Sequence, residues 1–202
     1  MGAMCDWSLI PDAGHCDVWW SPRQAGGPIH QVIGVTQDDF AALLERMTKA
    51  AEAGDGTAFA ACFTADGVYN DYIYGPHAGR AAIADMLVGQ FHRDATDYRW
   101  SFFQPLCAGE LGYAWSLSAF TSTVPEFAGR KVVIDGMSRF RLKDGLIADY
   151  AESVNGGVAM AQLGVQPARM AKVMDKWAGW LNAKPTTAAY LDGHKGGKHG
   201  QT

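Results

Sequence analysis

The chain has 202 residues, 48% of them hydrophobic and 19% charged, a composition that excludes a disordered chain and supplies the core of one ordinary domain. Its formal net charge of −4 offers no basic footprint to a phosphate backbone or an anionic lipid surface, so neither nucleic acid nor membrane is an expected partner. No segment approaches the ~20 apolar residues of a membrane span, and the amino terminus lacks a basic start followed by an apolar run, so the expected location is cytoplasmic.

Residues 1–35 carry Pro11, Pro22, Pro28 and the Gly26-Gly27 pair, with Trp7, Trp19 and Trp20 interspersed and no period. They read as an irregular arm whose tryptophans pack on the body or on a second subunit. Thr36 then caps a helix in which Phe40, Leu43, Leu44 and Met47 recur at three and four, and Gly54 stops it. A shorter helix is expected from Thr57 to Phe63, and the aromatic run Val68 to Tyr74 reads as a strand. After the loop Gly75 to Gly79, Ile83, Met86, Leu87, Gln90 and Phe91 stand at helical spacing.

From Tyr98 the period changes, giving strands at 98–107, 111–124, 130–142 and 146–155 joined by turns short enough to force antiparallel pairing. An amphipathic helix falls within 166–184, and the Gly, Lys and His tail 185–202 is expected to be disordered. Helices first and strands afterwards predict an α+β domain over 36–165, with helices covering one face of a curved antiparallel sheet and leaving a cone-shaped pocket.

Cys5, Cys16, Cys62 and Cys107 are scattered, without a C-x-x-C pair or a histidine at zinc-like spacing. No glycine-rich phosphate loop opens a helix after a strand. Neither a metal nor a nucleotide cofactor is therefore expected.

Among titratable residues Asp71 stands out, lying between Asn70 and Tyr72 in an aromatic strand where a buried carboxylate is costly without a purpose or partner. Desolvation there lifts a carboxylate toward the working range of a general base, and alternation sends Tyr69 and Ile73 to the same face. Asp135 follows the apolar run Val132-Val133-Ile134 and shares a face with Val133, Met137 and Arg139. It is either a protonated donor in a dry site or the partner of Arg139. Tyr150 and Glu152 share a face of the last strand, making Glu152 a third candidate acid. His77, in the Gly75 to Gly79 loop, is a candidate acid–base group, and His92 sits at a helix end where it complements the dipole. Tyr72, Tyr74, Trp100, Phe102, Tyr113 and Trp115 form core or pocket wall and suit a flat aromatic ligand.

The run from Gly54 to Asp71, G-D-G-T-A-F-A-A-C-F-T-A-D-G-V-Y-N-D, is followed by Gly79-Arg80 with Ile83 and by V-I-D-G-M-S-R-F over 133–140. In order and spacing these resemble the nuclear transport factor 2-like superfamily, particularly its ketosteroid isomerase and SnoaL-like cyclase branches, over about residues 36–165. The resemblance implies the cone-shaped fold. It places the isomerases' proton-shuttling base, eight positions after Phe63, on Asp71, and their protonated second aspartate on Asp135. Their oxyanion tyrosine falls on Met47 and its two supporting tyrosines on Phe63 and Leu87, so their hydroxyl network is not carried over.

The resulting expectation is a cofactor-independent lyase, dehydratase or isomerase acting on a hydrophobic, aromatic small molecule such as a polyketide or a lignin-derived diaryl compound. Asp71, Asp135, Glu152 and His77 are its expected catalytic residues. Tyr69, Tyr72, Tyr74, Trp100, Tyr113, Trp115, Met137, Arg139, Tyr150, Met47 and Phe91 are the expected substrate contacts. A non-catalytic binding or assembly module of the same fold is the alternative. The open sheet face and the arm together predict a homodimer or larger homo-oligomer.

Overall fold

The computed structural model describes residues 35–194, which fall into two compact units, 35–164 and 165–194. The arm expected before Val35 lies outside the described residues.

Helix α1 (Gln37–Ala53) starts where the Thr36 side chain accepts the Asp39 N–H, and it stops at Gly54, whose φ of 68° turns the chain out of the helix. Its stripe of Phe40, Leu43, Leu44 and Met47 is fully buried against the sheet. Asp55 caps α2 (Gly56–Ala61) by accepting the Ala58 N–H at 2.9 Å. Strand β1 (Phe63–Asp71) follows, then β2 (Gly75–Ala78). Where the sequence reads as one strand to Tyr74 and a loop, the chain makes a hairpin. Asp71 Oδ1 accepts the Ile73 and Tyr74 N–H groups at 2.7 and 2.6 Å and folds the chain back at that point.

Helix α3 (Arg80–Met86) runs into a π-helical turn (Leu87–Phe91) and the short α4 (His92–Asp94). Strands β3 (Ala95–Ala108), β4 (Leu111–Ser122), β5 (Lys131–Lys143) and β6 (Leu146–Val154) form the long meander. Asn155 then caps α5 (Gly156–Leu163), a helix the sequence reading did not anticipate.

The six strands form one sheet in the order β2-β1-β6-β5-β4-β3. Every pair is antiparallel except β1 with β6, which is parallel because the chain returns to β1 only after the helices and the whole meander. Phe40, Phe59, Phe63, Tyr69, Phe140 and Tyr150 fill the core between α1, α2 and the sheet. Gly112 leaves room on β4 for the Phe40 ring, since a Cβ there would stand 2.5 Å from it.

The second unit contains α6 (Pro167–Ala183) and α7 (Pro185–His194). Residues 185–194, expected within a disordered tail, are therefore helical, with Pro185 preset for a first helical turn. No described helix is long and apolar enough to cross a membrane.

Candidate active site

The parallel pair β1 and β6 builds the site. Tyr69 lies opposite Tyr150 and Asn70 opposite Ala151, so the next residues along, Asp71 and Glu152, are neighbours on the same face. Strand β5 sets Ser138 opposite Glu152 and Phe140 opposite Tyr150, while β2 sets His77 opposite Tyr69. Two rows thus cross the concave, helix-covered face: His77, Tyr69, Tyr150 and Phe140 in one, Asp71, Glu152 and Ser138 in the other.

Hydroxyl groups join these rows. Tyr150 Oη donates to Glu152 Oε2 at 2.8 Å, and the Ser138 hydroxyl lies 3.0 Å from Tyr150 Oη. The Tyr69 ring stacks on Tyr150 with centroids 4.5 Å apart. Glu152 also accepts the Tyr72 N–H. On its side Asp71 holds its two backbone bonds through Oδ1 alone.

Burial pushes the Asp71 carboxyl up to about 6, against the opposing pull of the Tyr74 and Ile73 N–H groups. Burial also raises Glu152, and the nearby Asp71 charge adds to it, to about 8. Near neutral pH the pair shares one proton and carries one negative charge. Tyr69 and Tyr150, pushed well above the ordinary phenol range by burial, stay neutral. Tyr98 is raised by burial and by the charges of Asp71 and Asp94, and its hydroxyl donates to the Phe91 carbonyl at 3.2 Å. Asp94 in turn accepts from Tyr74 Oη at 3.1 Å.

Phe91 packs against Tyr69, Tyr74 and Tyr98 and closes this end of the wall. His77 is half-buried, its basicity lowered by desolvation, and its buried Nε2 has no hydrogen-bond partner among the described residues. His92 is tied elsewhere, Nε2 lying 2.7 Å from the Ala51 carbonyl at the end of α1. Met47 and Trp100 lie in the core, where Trp100 Nε1 donates to Ser116 Oγ at 2.8 Å.

Several expected site residues stand on the opposite side of the sheet. Asp135 is exposed on the outer face, opposite Leu117, and Tyr113, Trp115 and Met137 are exposed there too. Arg139 pairs with Asp149 rather than with Asp135. Alternation identified these as companions on one face, but the inward residues of β5 are Val132, Gly136, Ser138 and Phe140. Ile73, expected beside Asp71 on the strand, belongs to the turn that Asp71 caps. Ser138, Tyr98 and Asp94 were not anticipated. Tyr98 was within reach of the alternation that joins it to Trp100 and Phe102, whereas Ser138 needed the true register of β5.

Among the described residues no three His, Cys, Asp or Glu side chains are placed to hold a metal ion. Residues 44–150 match the family model of the SnoaL-like domain. No protein with a curated description matches the chain. Among solved structures it is similar to a protein of ketosteroid isomerase-like fold from Catenulispora acidiphila DSM 44928, in complex with trimethylamine. That likeness has 16% identity over 61% of this chain and 93% of the other, with a TM-score of 0.56. TsrD from Streptomyces laurentii is 16% identical over 65% of this chain and 98% of its own, with a TM-score of 0.55. An LEH-like epoxide hydrolase of M. tuberculosis is 14% identical over 62% of this chain and 90% of its own, with a TM-score of 0.51. At such identities the likeness is one of fold, the α+β cone expected from the sequence.

Proposed function

Because the chain belongs to the SnoaL-like domain family, we propose that it is a cofactor-independent enzyme moving protons on a hydrophobic, aromatic small molecule by lyase, dehydratase or isomerase chemistry. One observation carries this reading: two adjacent, part-buried carboxyl groups whose surroundings hold them at different acidities, one raised to about 6 and the other to about 8. Asp71, ionised near neutrality, takes a proton from carbon next to a carbonyl, and the electron pair of that C–H bond moves onto the carbonyl oxygen. Protonated Glu152 donates a hydrogen bond to the resulting oxyanion, the role the resemblance gave to Asp135. The proton on Asp71 then returns to a different carbon in an isomerisation, or to a departing hydroxyl as water in a dehydration. Tyr69, Tyr74, Phe91 and Tyr98 offer an aromatic ring its faces, and the unpartnered His77 Nε2 supplies one more polar contact.

A binding module without turnover has one observation in its favour, since the Asp71 carboxyl already has a structural use in its turn. The two readings separate in deuterium oxide. The purified protein, without added metal or nucleotide, is mixed with aryl ketones and β-hydroxy aryl ketones and followed by proton NMR. Catalysed deuterium uptake beside the carbonyl, or loss of water, that disappears in Asp71→Asn is the expected result. Binding of these ketones with exchange no faster than in buffer overturns the enzymatic reading.

A further inference from the structure

The chemistry above leaves one shielded polar group near the aromatic wall without a use. Gln90 Oε1 is buried and has no hydrogen-bond partner among the described residues, the same condition as His77 Nε2. Buried polar atoms are as a rule paired, so two such atoms beside one site mark groups kept for a ligand.

The fold brings both to the Tyr69 end of the wall. His77 lies opposite Tyr69 on β2. Gln90 belongs to the π-helical turn Leu87–Phe91, where the His92 N–H reaches back five residues to the Leu87 carbonyl. It stands three residues after Leu87 and four after Met86, both buried, and so shares their inward side of the helix. Helix α3, which leads into the turn, packs against β1 and β2, and Phe91, the residue after Gln90, lays its ring against Tyr69 and Tyr74. Such π-helical turns are rare and concentrate at functional sites.

The two atoms select the ligand group. An amide oxygen only accepts, so Gln90 Oε1 needs a hydrogen that neither a ketone nor an ether carries. Burial lowers the basicity of His77 and keeps its ring neutral, and with its hydrogen on Nε2 the imidazole donates. A hydroxyl satisfies both at once, donating to Gln90 and accepting from His77.

We propose that Gln90 and His77 form a hydroxyl-binding pair, and that the substrate class is hydroxyaryl ketones whose hydroxyl docks there while the carbonyl end meets the acid pair. This rests on the reading of the site as one for aryl ketones, so binding is measured rather than turnover. Titration calorimetry of the full chain uses acetophenone, para-hydroxyacetophenone and para-methoxyacetophenone. The wild type is expected to bind the phenol about tenfold or more tighter than its methyl ether. Gln90→Leu should bring the two within about twofold while melting no lower than wild type, because it removes an unpaired buried acceptor and keeps the bulk. His77→Phe should shrink the preference in the same direction, and Gln90→Met repeats the test with a flexible side chain of similar length. Binding of acetophenone with no preference for the phenol over the ether, or a preference that survives in Gln90→Leu and Gln90→Met, overturns the proposal. Binding of none of the three ketones overturns it together with the aryl ketone reading.

Discussion

Tyr150 and Glu152 stand two residues apart on β6, and the phenol of the first donates to Oε2 of the second at 2.8 Å. That bond favours the ionised carboxylate, yet burial and the Asp71 charge outweigh it. Tyr150→Phe is therefore expected to push the Glu152 carboxyl still higher. It also takes the hydrogen-bond partner from the Ser138 hydroxyl, at about 1–3 kcal/mol of stability. A carboxyl carbon NMR titration reads the first effect and denaturant unfolding the second. A Glu152 titration that moves downward would contradict the network.

Asp71→Asn keeps an Oδ1 acceptor for the Ile73 and Tyr74 N–H groups, so the turn should survive and the melting temperature hold. Turnover should fall by roughly 10²-fold to 10⁴-fold, the usual worth of a general base. Asp71→Ala removes the acceptor as well and should cost about 1–2 kcal/mol of stability on top of the same kinetic loss. Comparing kcat and melting curves for the pair separates the carboxyl's two uses. Equal turnover in wild type and folded Asp71→Asn removes Asp71 from the mechanism.

The pH profile of kcat/KM should be bell-shaped, with its acid limb set by ionisation of Asp71 near 6 and its alkaline limb by loss of the Glu152 proton near 8. Stability should follow the same groups. Both folded carboxyls hold protons that the unfolded chain has already released above its ordinary carboxyl range, so the native state binds more protons in that window. Stability is fullest below the unfolded values and declines as pH rises through the folded ones, from about 4 to about 8. Glu152→Gln should flatten the upper part of this decline and be more stable than wild type at alkaline pH. Denaturant midpoints at mildly acidic and mildly alkaline pH measure it, and parallel curves for the two proteins would refute the assignment.

Gly136 gives a purely steric test. A Cβ at this position would run into the Ser153 carbonyl and the Val154 backbone on β6, next to Glu152. Gly136→Ala should cost about 1–3 kcal/mol and disturb the alkaline limb more than the acid one, since it displaces β6 and leaves β1 in place. An unchanged unfolding midpoint would show that the strands have room to part.

Much of the architecture was legible because local signals agreed. Thr36 and Gly54 bracket α1 as their chemistry requires, and glycine-bearing turns divide the meander. The parallel pairing of β1 with β6 was not, since nothing local connects strands separated by the whole meander. β2 was hidden by Gly75 and Pro76, which signal a loop unless the Asp71 turn is known. In the site, alternation groups side chains without saying which group faces inward. On β5 the run Val132-Val133-Ile134 is apolar on both faces, because the outer face is itself apolar, and Asp135 was assigned to the wrong side. On β6, Asp149 and Ala151 alternate with Tyr150 and Glu152, and the register against β1 is what brings Glu152 beside Asp71.

The parallel pairing of β1 with β6 also bears on the order of events during folding. Asn70 bonds the Tyr150 carbonyl over a sequence separation of 80 residues, so this seam closes only after the last strand has been made. Until then Asp71 has no carboxyl from β6 beside it. The Asp71 charge that raises Glu152 is thus imposed when β6 docks on β1. A chain stalled before β6 docks would be spared that cost and would have no acid pair, so acquiring the pair reports that folding is complete.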